Sequence, residues 1–86
     1  MILDDLASTG HTVAAAARLL RAAGAASIDA AVTHALLAPD ALEMLRASGI
    51  GEVWSTDCVA HPTNAVSMAP ELAKALRDIA QAVAPA

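Results

Sequence analysis

Short apolar runs alternate with longer amphipathic stretches along the whole 86-residue chain, and this alternation limits the fold more than any other feature. "MIL" is an apolar run that ends at Asp4. From Thr12 to Ala23 the spacing turns helical, with Val13, Ala16, Ala17, Leu20 and Ala23 on one face and Arg18 and Arg21 on the other. Gly24 follows as a C-terminal stop. "SIDAAVTH", Ser27 to His34, is mostly apolar rather than alternating, which suits a strand buried on both faces. "APDALEMLRASG" predicts a second helix: Pro39 fits the first turn, Asp40 and Glu43 suit its positive end, and Gly49 stops it. "GEVWSTD" predicts a third strand, "CVAHPTN" a loop and "AVSMA" a brief fourth strand. Pro70 opens a last helix in which Leu72, Ala75, Leu76, Ile79 and Val83 share a face, and the closing "APA" is expected to fray.

The order β-α-β-α-β-β-α implies parallel βαβ units with right-handed crossovers. No low-complexity linker divides the chain, so residues 1–86 are read as one domain of α/β class. The core has to be built from Ala, Leu, Val and Ile, because there is one Trp and no Tyr or Phe. Small residues let helices approach a sheet closely, but each buries little area. Folding at this size buries only about 60–65% of the surface the unfolded chain exposes.

Charge and composition exclude several classes of function. The net charge is −4 with only five Lys and Arg, which argues against a general nucleic-acid surface. One phosphate group remains possible, since backbone N–H groups bind it without a cation. The chain is 57% apolar, with a mean hydropathy of +0.54, yet no window offers about 18 consecutive apolar residues. No membrane span is expected, the start lacks the pattern of a signal peptide, and the expected location is cytoplasmic. A single cysteine, Cys58, excludes an internal disulfide, and it is read as a small packed residue.

Polar residues gather where strands are expected to end: Asp4 and Asp5, then Thr33 and His34, then Ser55, Thr56 and Asp57. Ligands of open parallel sheets bind beyond those ends, so the three sets make one candidate crevice. The stretch "STGHT", from Ser8 to Thr12, joins the first strand to the first helix. The first N–H groups of a helix lack internal partners, and the helix dipole adds partial positive charge there. Gly10 allows a tight turn, and Ser8, Thr9 and Thr12 offer hydroxyls. Such a loop can hold a phosphate monoester while Asp4 and Asp5 accept from sugar hydroxyls. An ordinary capped turn accounts for the same residues. "STGHT" is not a P-loop, and the three scattered histidines form no metal motif. His34 reads as a strand-end histidine bonded to a carbonyl, His61 as a loop residue and Asp57 as a solvated turn, ahead of any role in binding.

"LDDLASTGHT" resembles the ribose-phosphate loop of the type I phosphoribosyltransferase fold. "AAVTHALLAPDALEML" and "EVWSTDCVAHPTNAVSMAPELAKAL" resemble the C-terminal half of ribose-phosphate pyrophosphokinases, from about Met1 to Ala80. The resemblance implies a three-layer, phosphoribosyltransferase-like parallel sheet of βαβ units, here truncated. It also implies that Asp4 and Asp5 face ribose hydroxyls, and that Ser8, Thr9, Gly10, His11 and Thr12 wrap the 5-phosphate. His11 stands where many relatives have a second glycine. The implied reaction is attack of the anomeric hydroxyl of ribose 5-phosphate on the β-phosphorus of ATP, with Mg²⁺ on the phosphates, to give phosphoribosyl pyrophosphate.

Family members carry an N-terminal domain of the same class that supplies most ATP contacts, and a mobile basic loop. This chain matches neither, so no catalytic residue is assigned and the chain is expected to be incomplete alone. The expected partners are ribose 5-phosphate or phosphoribosyl pyrophosphate, ATP in the complete enzyme, and either an oligomer or a complex with the missing half. Two alternatives stand beside this reading: a non-catalytic sugar-phosphate-binding module, and a helper subunit of a full-length enzyme.

Overall fold

A computed structural model describes residues 1–83, so the expected fraying of "APA" lies outside the described residues. Four strands form one sheet in the order β1-β2-β3-β4, and every neighbouring pair is parallel. They are β1 (Ile2–Ala7), β2 (Ile28–Ala35), β3 (Ile50–Thr56) and β4 (Asn64–Val66). The helices are α1 (His11–Ala22), α2 (Ala41–Ala47) and α3 (Ala69–Val83). The α/β class and the element order follow the sequence pattern, with shifts in bounds: β4 starts at Asn64 and stops at Val66, so Ser67 and Met68 of the expected strand lie outside it and Ala69 opens α3. β1 continues through Asp4 and Asp5 to Ala7, and Pro39 lies in the turn before α2 rather than within its first turn.

Each crossover steps one strand further in the same direction, from β1 to β2 to β3. Right-handed connections therefore place α1 and α2 on the same side of the sheet. There Val13, Ala14 and Ala17 of α1 and Leu45 of α2 pack with Ile28, Ala30 and Ile50 into the main core. A smaller cluster of Ala7, Val32 and Ala35 sits nearer the strand ends. The expected face of α1 is corrected here. Ala14 is buried, whereas Leu20 and Ala23 are exposed, because the later turns of this helix meet no buried layer.

Among the described residues there are two layers, not the three expected. The far side of the sheet carries Leu3, Ala31 and Trp54 in register, with Leu3 exposed. α3 does not cover that side: none of its residues is buried.

Two glycines stop helices as expected. Gly24 adopts φ +96° after α1, and Ala25 N–H donates to the Leu20 carbonyl at 3.0 Å, closing a Schellman turn. Gly49 adopts φ +98° after α2, and the Arg21 guanidinium donates to its carbonyl at 3.0 Å, tying α1 to the α2–β3 turn.

Candidate functional site

The segment from Ser8 to Gly10 leaves the carboxyl end of β1 and turns into α1. The carbonyls of Ala7 and Ser8 are occupied: Leu36 N–H donates to the first and Ala38 N–H to the second, both at 2.9 Å. The amides of the turn are not. Ala14 N–H makes the first helical bond, to the Gly10 carbonyl at 2.8 Å. Among the described residues, the N–H groups of Thr9, Gly10, Thr12 and Val13 meet no protein acceptor. His11 N–H reaches only Thr9 Oγ1, at a long 3.4 Å. No side chain caps the helix, so the ordinary capped turn does not describe this geometry.

Gly10 makes the turn possible, with φ +83° at the N-cap position. A Cβ there would lie 3.0 Å from Met44 Cε and 3.2 Å from Leu45 Cδ2. The loop is thus pressed against α2, and its outer side is left free. That side is a small cavity of about 50 Å³ lined by Ser8, Thr9, Gly10 and Thr12 together with Leu6, Ala7 and Val13. Unpaired amides, hydroxyls and the positive end of a 12-residue helix converge there, a combination that suits a tetrahedral anion.

The other predicted residues are distributed differently. His11 is exposed and lines a neighbouring cavity of about 220 Å³ with Thr9 and Asp40. Asp4 and Asp5 are consecutive in β1, so their side chains leave opposite faces. Asp4 Oδ1 accepts from Asp5 N–H at 2.8 Å. Asp4 lines a third cavity, of about 300 Å³, with Thr33, Trp54, Ser55 and Thr56. Of the polar strand ends expected to share one crevice, Asp4, Thr33, Ser55 and Thr56 line this cavity and Asp5, His34 and Asp57 do not, and the cavity at the loop is separate from it.

Asp57 Oδ1 accepts from Met68 N–H at 2.9 Å, fixing the approach to α3. His34 is half-buried in β2, and among the described residues its ring makes no hydrogen bond, so the expected carbonyl partner is not found. Cys58 is exposed rather than packed, because it sits in the turn after β3.

A polar network between β3 and β4 was not anticipated from the sequence. Asn64 Nδ2 lies 2.8 Å from Ser55 Oγ, 2.8 Å from the Thr56 carbonyl and 3.0 Å from the Val59 carbonyl, and its Oδ1 accepts from His61 N–H at 3.0 Å. Ser55 Oγ and Thr63 Oγ1 are 2.8 Å apart, and Thr63 Oγ1 lies 2.8 Å from His61 Nδ1. Thr63 N–H also donates to His61 Nδ1, at 3.2 Å. That ring nitrogen is therefore the acceptor, and the proton sits on Nε2. The clustering of Thr63 and Asn64 beside His61 in "HPTN" was the available signal. Asn64→Ala is expected to leave several of these groups without partners and to cost about 1–3 kcal/mol, read by urea denaturation.

Among the described residues no helix is long and apolar enough to cross a membrane. No three His, Cys, Asp or Glu side chains among them gather as a metal site.

Comparison with known proteins identifies the loop's relatives. The family model of the phosphoribosyl synthetase-associated domain matches residues 1–86. The chain belongs to this family. It is similar to ribose-phosphate pyrophosphokinase 1 of Archaeoglobus fulgidus, 46% identical over 76 residues, covering 88% of this chain and 27% of that protein. The ribose-phosphate pyrophosphokinase of Methanopyrus kandleri is 43% identical over 79 residues, covering 92% of this chain and 27% of that protein. That of Corynebacterium glutamicum is 38% identical over 85 residues, covering 92% and 26%. The chain thus spans about a quarter of the length of these relatives. Its family-level relationship is to ribose-phosphate pyrophosphokinases.

Proposed function

We propose that this chain supplies the acceptor-sugar site of ribose-phosphate pyrophosphokinase chemistry and corresponds to the C-terminal part of the longer relatives. One observation carries the reading: the amides of Thr9, Gly10, Thr12 and Val13 stand unpaired around a small cavity at the start of α1. In this reading they bind the 5-phosphate of ribose 5-phosphate, Thr9 and Thr12 add hydroxyl donors, and the His11 backbone completes the wrap. Asp5 accepts from the ribose hydroxyls and so orients the anomeric oxygen, while Asp4, whose side chain leaves the opposite face of β1, lines the separate cavity.

The attack on the β-phosphorus of ATP requires groups that position the donor. No lysine lies in the described cavities, and the reading assigns ATP binding to sequence that the matched quarter does not include. Magnesium accompanies the ATP phosphates as part of the donor substrate. No metal-ligand cluster is assigned to the described residues, and no step here is routed through one. The same remaining sequence would complete the third layer of a phosphoribosyltransferase-like sheet. A cytoplasmic location fits this soluble-substrate chemistry.

A second reading has its own observation. The open sheet face and the uncovered α3 suit a helper subunit docked on a full-length enzyme.

Isothermal titration with ribose 5-phosphate and with ribose tests the site. Binding of the phosphate ester, none of the free sugar, and loss of binding in Asp5→Ala are expected. At a hundred times the dissociation constant, the ligand adds about 2.7 kcal/mol to unfolding. Equal affinity for both sugars, or none for either, overturns the reading. A stable complex with a longer relative in the absence of sugar-phosphate binding favours the helper role.

A further inference from the structure

Two side chains of α2 support the back of the turn at Gly10, and they differ in access. A Cβ at Gly10 would lie 3.0 Å from Met44 Cε and 3.2 Å from Leu45 Cδ2, so both already touch the turn. Leu45 is buried. Met44 is half-buried and packs against the main core on one side. On the other it lines the cavity of about 220 Å³ shared with Thr9, His11 and Asp40, all three of which are exposed. A water takes up about 30 Å³, so a small polar oxidant fits beside this side chain. The backbone of Met44 is fixed: its N–H donates to the Asp40 carbonyl at 3.2 Å, and its carbonyl accepts from Ser48 Oγ at 2.9 Å. A chemical change at the thioether therefore falls on its outer atoms and on Gly10.

We propose that Met44 is an oxidative modification site, and that its conversion to the sulfoxide by a peroxide unseats the loop at the start of α1. The consequence for the sugar phosphate rests on the function proposed above; the movement of the loop does not. The sulfur lone pair attacks one peroxide oxygen, so an S–O bond forms as the O–O bond breaks, and the sulfur gives up two electrons. The hydroxide released takes the proton of the new S–OH group and leaves as water. The product is polar where the thioether was apolar. The core against which Met44 packs consists of Val, Ala, Ile and Leu side chains, which offer the new oxygen no hydrogen bond. The solvent-filled cavity does, so the sulfoxide turns toward it. Its methyl then leaves Gly10, and the loop loses a contact that holds its amides in place. A thiol-dependent methionine sulfoxide reductase restores the thioether and the contact. The other two methionines lie elsewhere: Met1 precedes β1, at the end of the strand away from the loop, and Met68 joins β4 to α3.

Cys58→Ser removes the competing exposed thiol. In that background, hydrogen peroxide is expected to add one oxygen to Met44 of the folded chain, located by peptide mass. Affinity for ribose 5-phosphate is then expected to fall about tenfold, the lower bound for misplacing one amide that bonds a charged group. The Gly10 amide resonance shifts with it, and the reductase reverses both changes. Met44→Leu, a swap of similar volume, keeps the untreated affinity and is indifferent to peroxide although Met1 and Met68 still oxidise. Met44→Gln, polar without oxidation, is expected to bind as weakly as the treated chain. Circular dichroism checks that each form stays folded. A Met44 that resists peroxide while Met1 oxidises overturns the proposal. So does an oxidised, folded chain with an unmoved Gly10 amide or, where the untreated chain binds, an unchanged affinity. Equal loss of affinity in peroxide-treated Met44→Leu overturns it as well. If the untreated chain does not bind ribose 5-phosphate, the phosphate reading falls alone, and the Gly10 resonance still decides whether Met44 seats the loop.

Discussion

Leu45→Ala is expected to lower the unfolding free energy by about 2–5 kcal/mol, the range for removing a buried leucine side chain. Leu45 is 1% exposed and is the large residue that α2 inserts between α1 and the sheet. Its neighbours Ala14, Ala17 and Ala30 are small and cannot swing into the space it leaves. The effect belongs near the upper end of the range, since the cost grows with the cavity that remains. A chain of this length has about 4–13 kcal/mol of total stability, so one substitution consumes a large share. The melting temperature should fall by at least about 10 °C. Circular dichroism during thermal and urea unfolding measures it. A drop below 1 kcal/mol would mean that the helices and sheet are not packed as described.

Gly10→Ala is expected to act twice. The residue would hold a left-handed backbone that costs about 1–3 kcal/mol without glycine. Its Cβ would also press on Met44 Cε and Leu45 Cδ2, at 3.0 and 3.2 Å. Relief requires the loop to move outward, into the cavity where its amides converge. Misplacing one amide that bonds a charged group costs about 1.5–3 kcal/mol, so ribose 5-phosphate affinity should fall about ten- to a hundredfold. Calorimetry well below the melting transition separates this loss from instability. Unchanged affinity in a folded Gly10→Ala chain would show that the turn does not hold the phosphate.

Particular residues show what the sequence made legible. The alternation of apolar runs and amphipathic stretches was enough for four strands, three helices and their order. Helix stops at Gly24 and Gly49 were legible because glycine is the residue that takes positive φ there at no steric cost. The extent of β1 was not: Asp4 and Asp5 are poor strand formers, and only the pairing of Asp4 with Val32 and of Leu6 with His34 of β2 keeps the backbone extended through them. At the site, the loop from Ser8 to Thr12 was legible as a local motif, since turn chemistry is local. That Asp4 lines a different cavity from the loop was not, because the strand runs two residues beyond the pair before turning. The Ser55–Thr63–His61–Asn64 network depends on contacts across β3 and β4, for which side-chain identity gives no register. α3 displayed its stripe plainly, but periodicity says only that a face is apolar, never what lies against it.

β1 borders the sheet, so among the described residues one side of its backbone has no neighbouring strand. Bare edges of this kind invite a foreign strand and, with it, uncontrolled aggregation. Two adjacent carboxylates in the middle of β1 oppose that growth. A like strand laid about 4.8 Å away would bring further carboxylates against them. Whatever Asp4 and Asp5 do for a sugar, they also act as gatekeepers of solubility, and neutralising both at once should make the chain precipitate more readily than changing either alone.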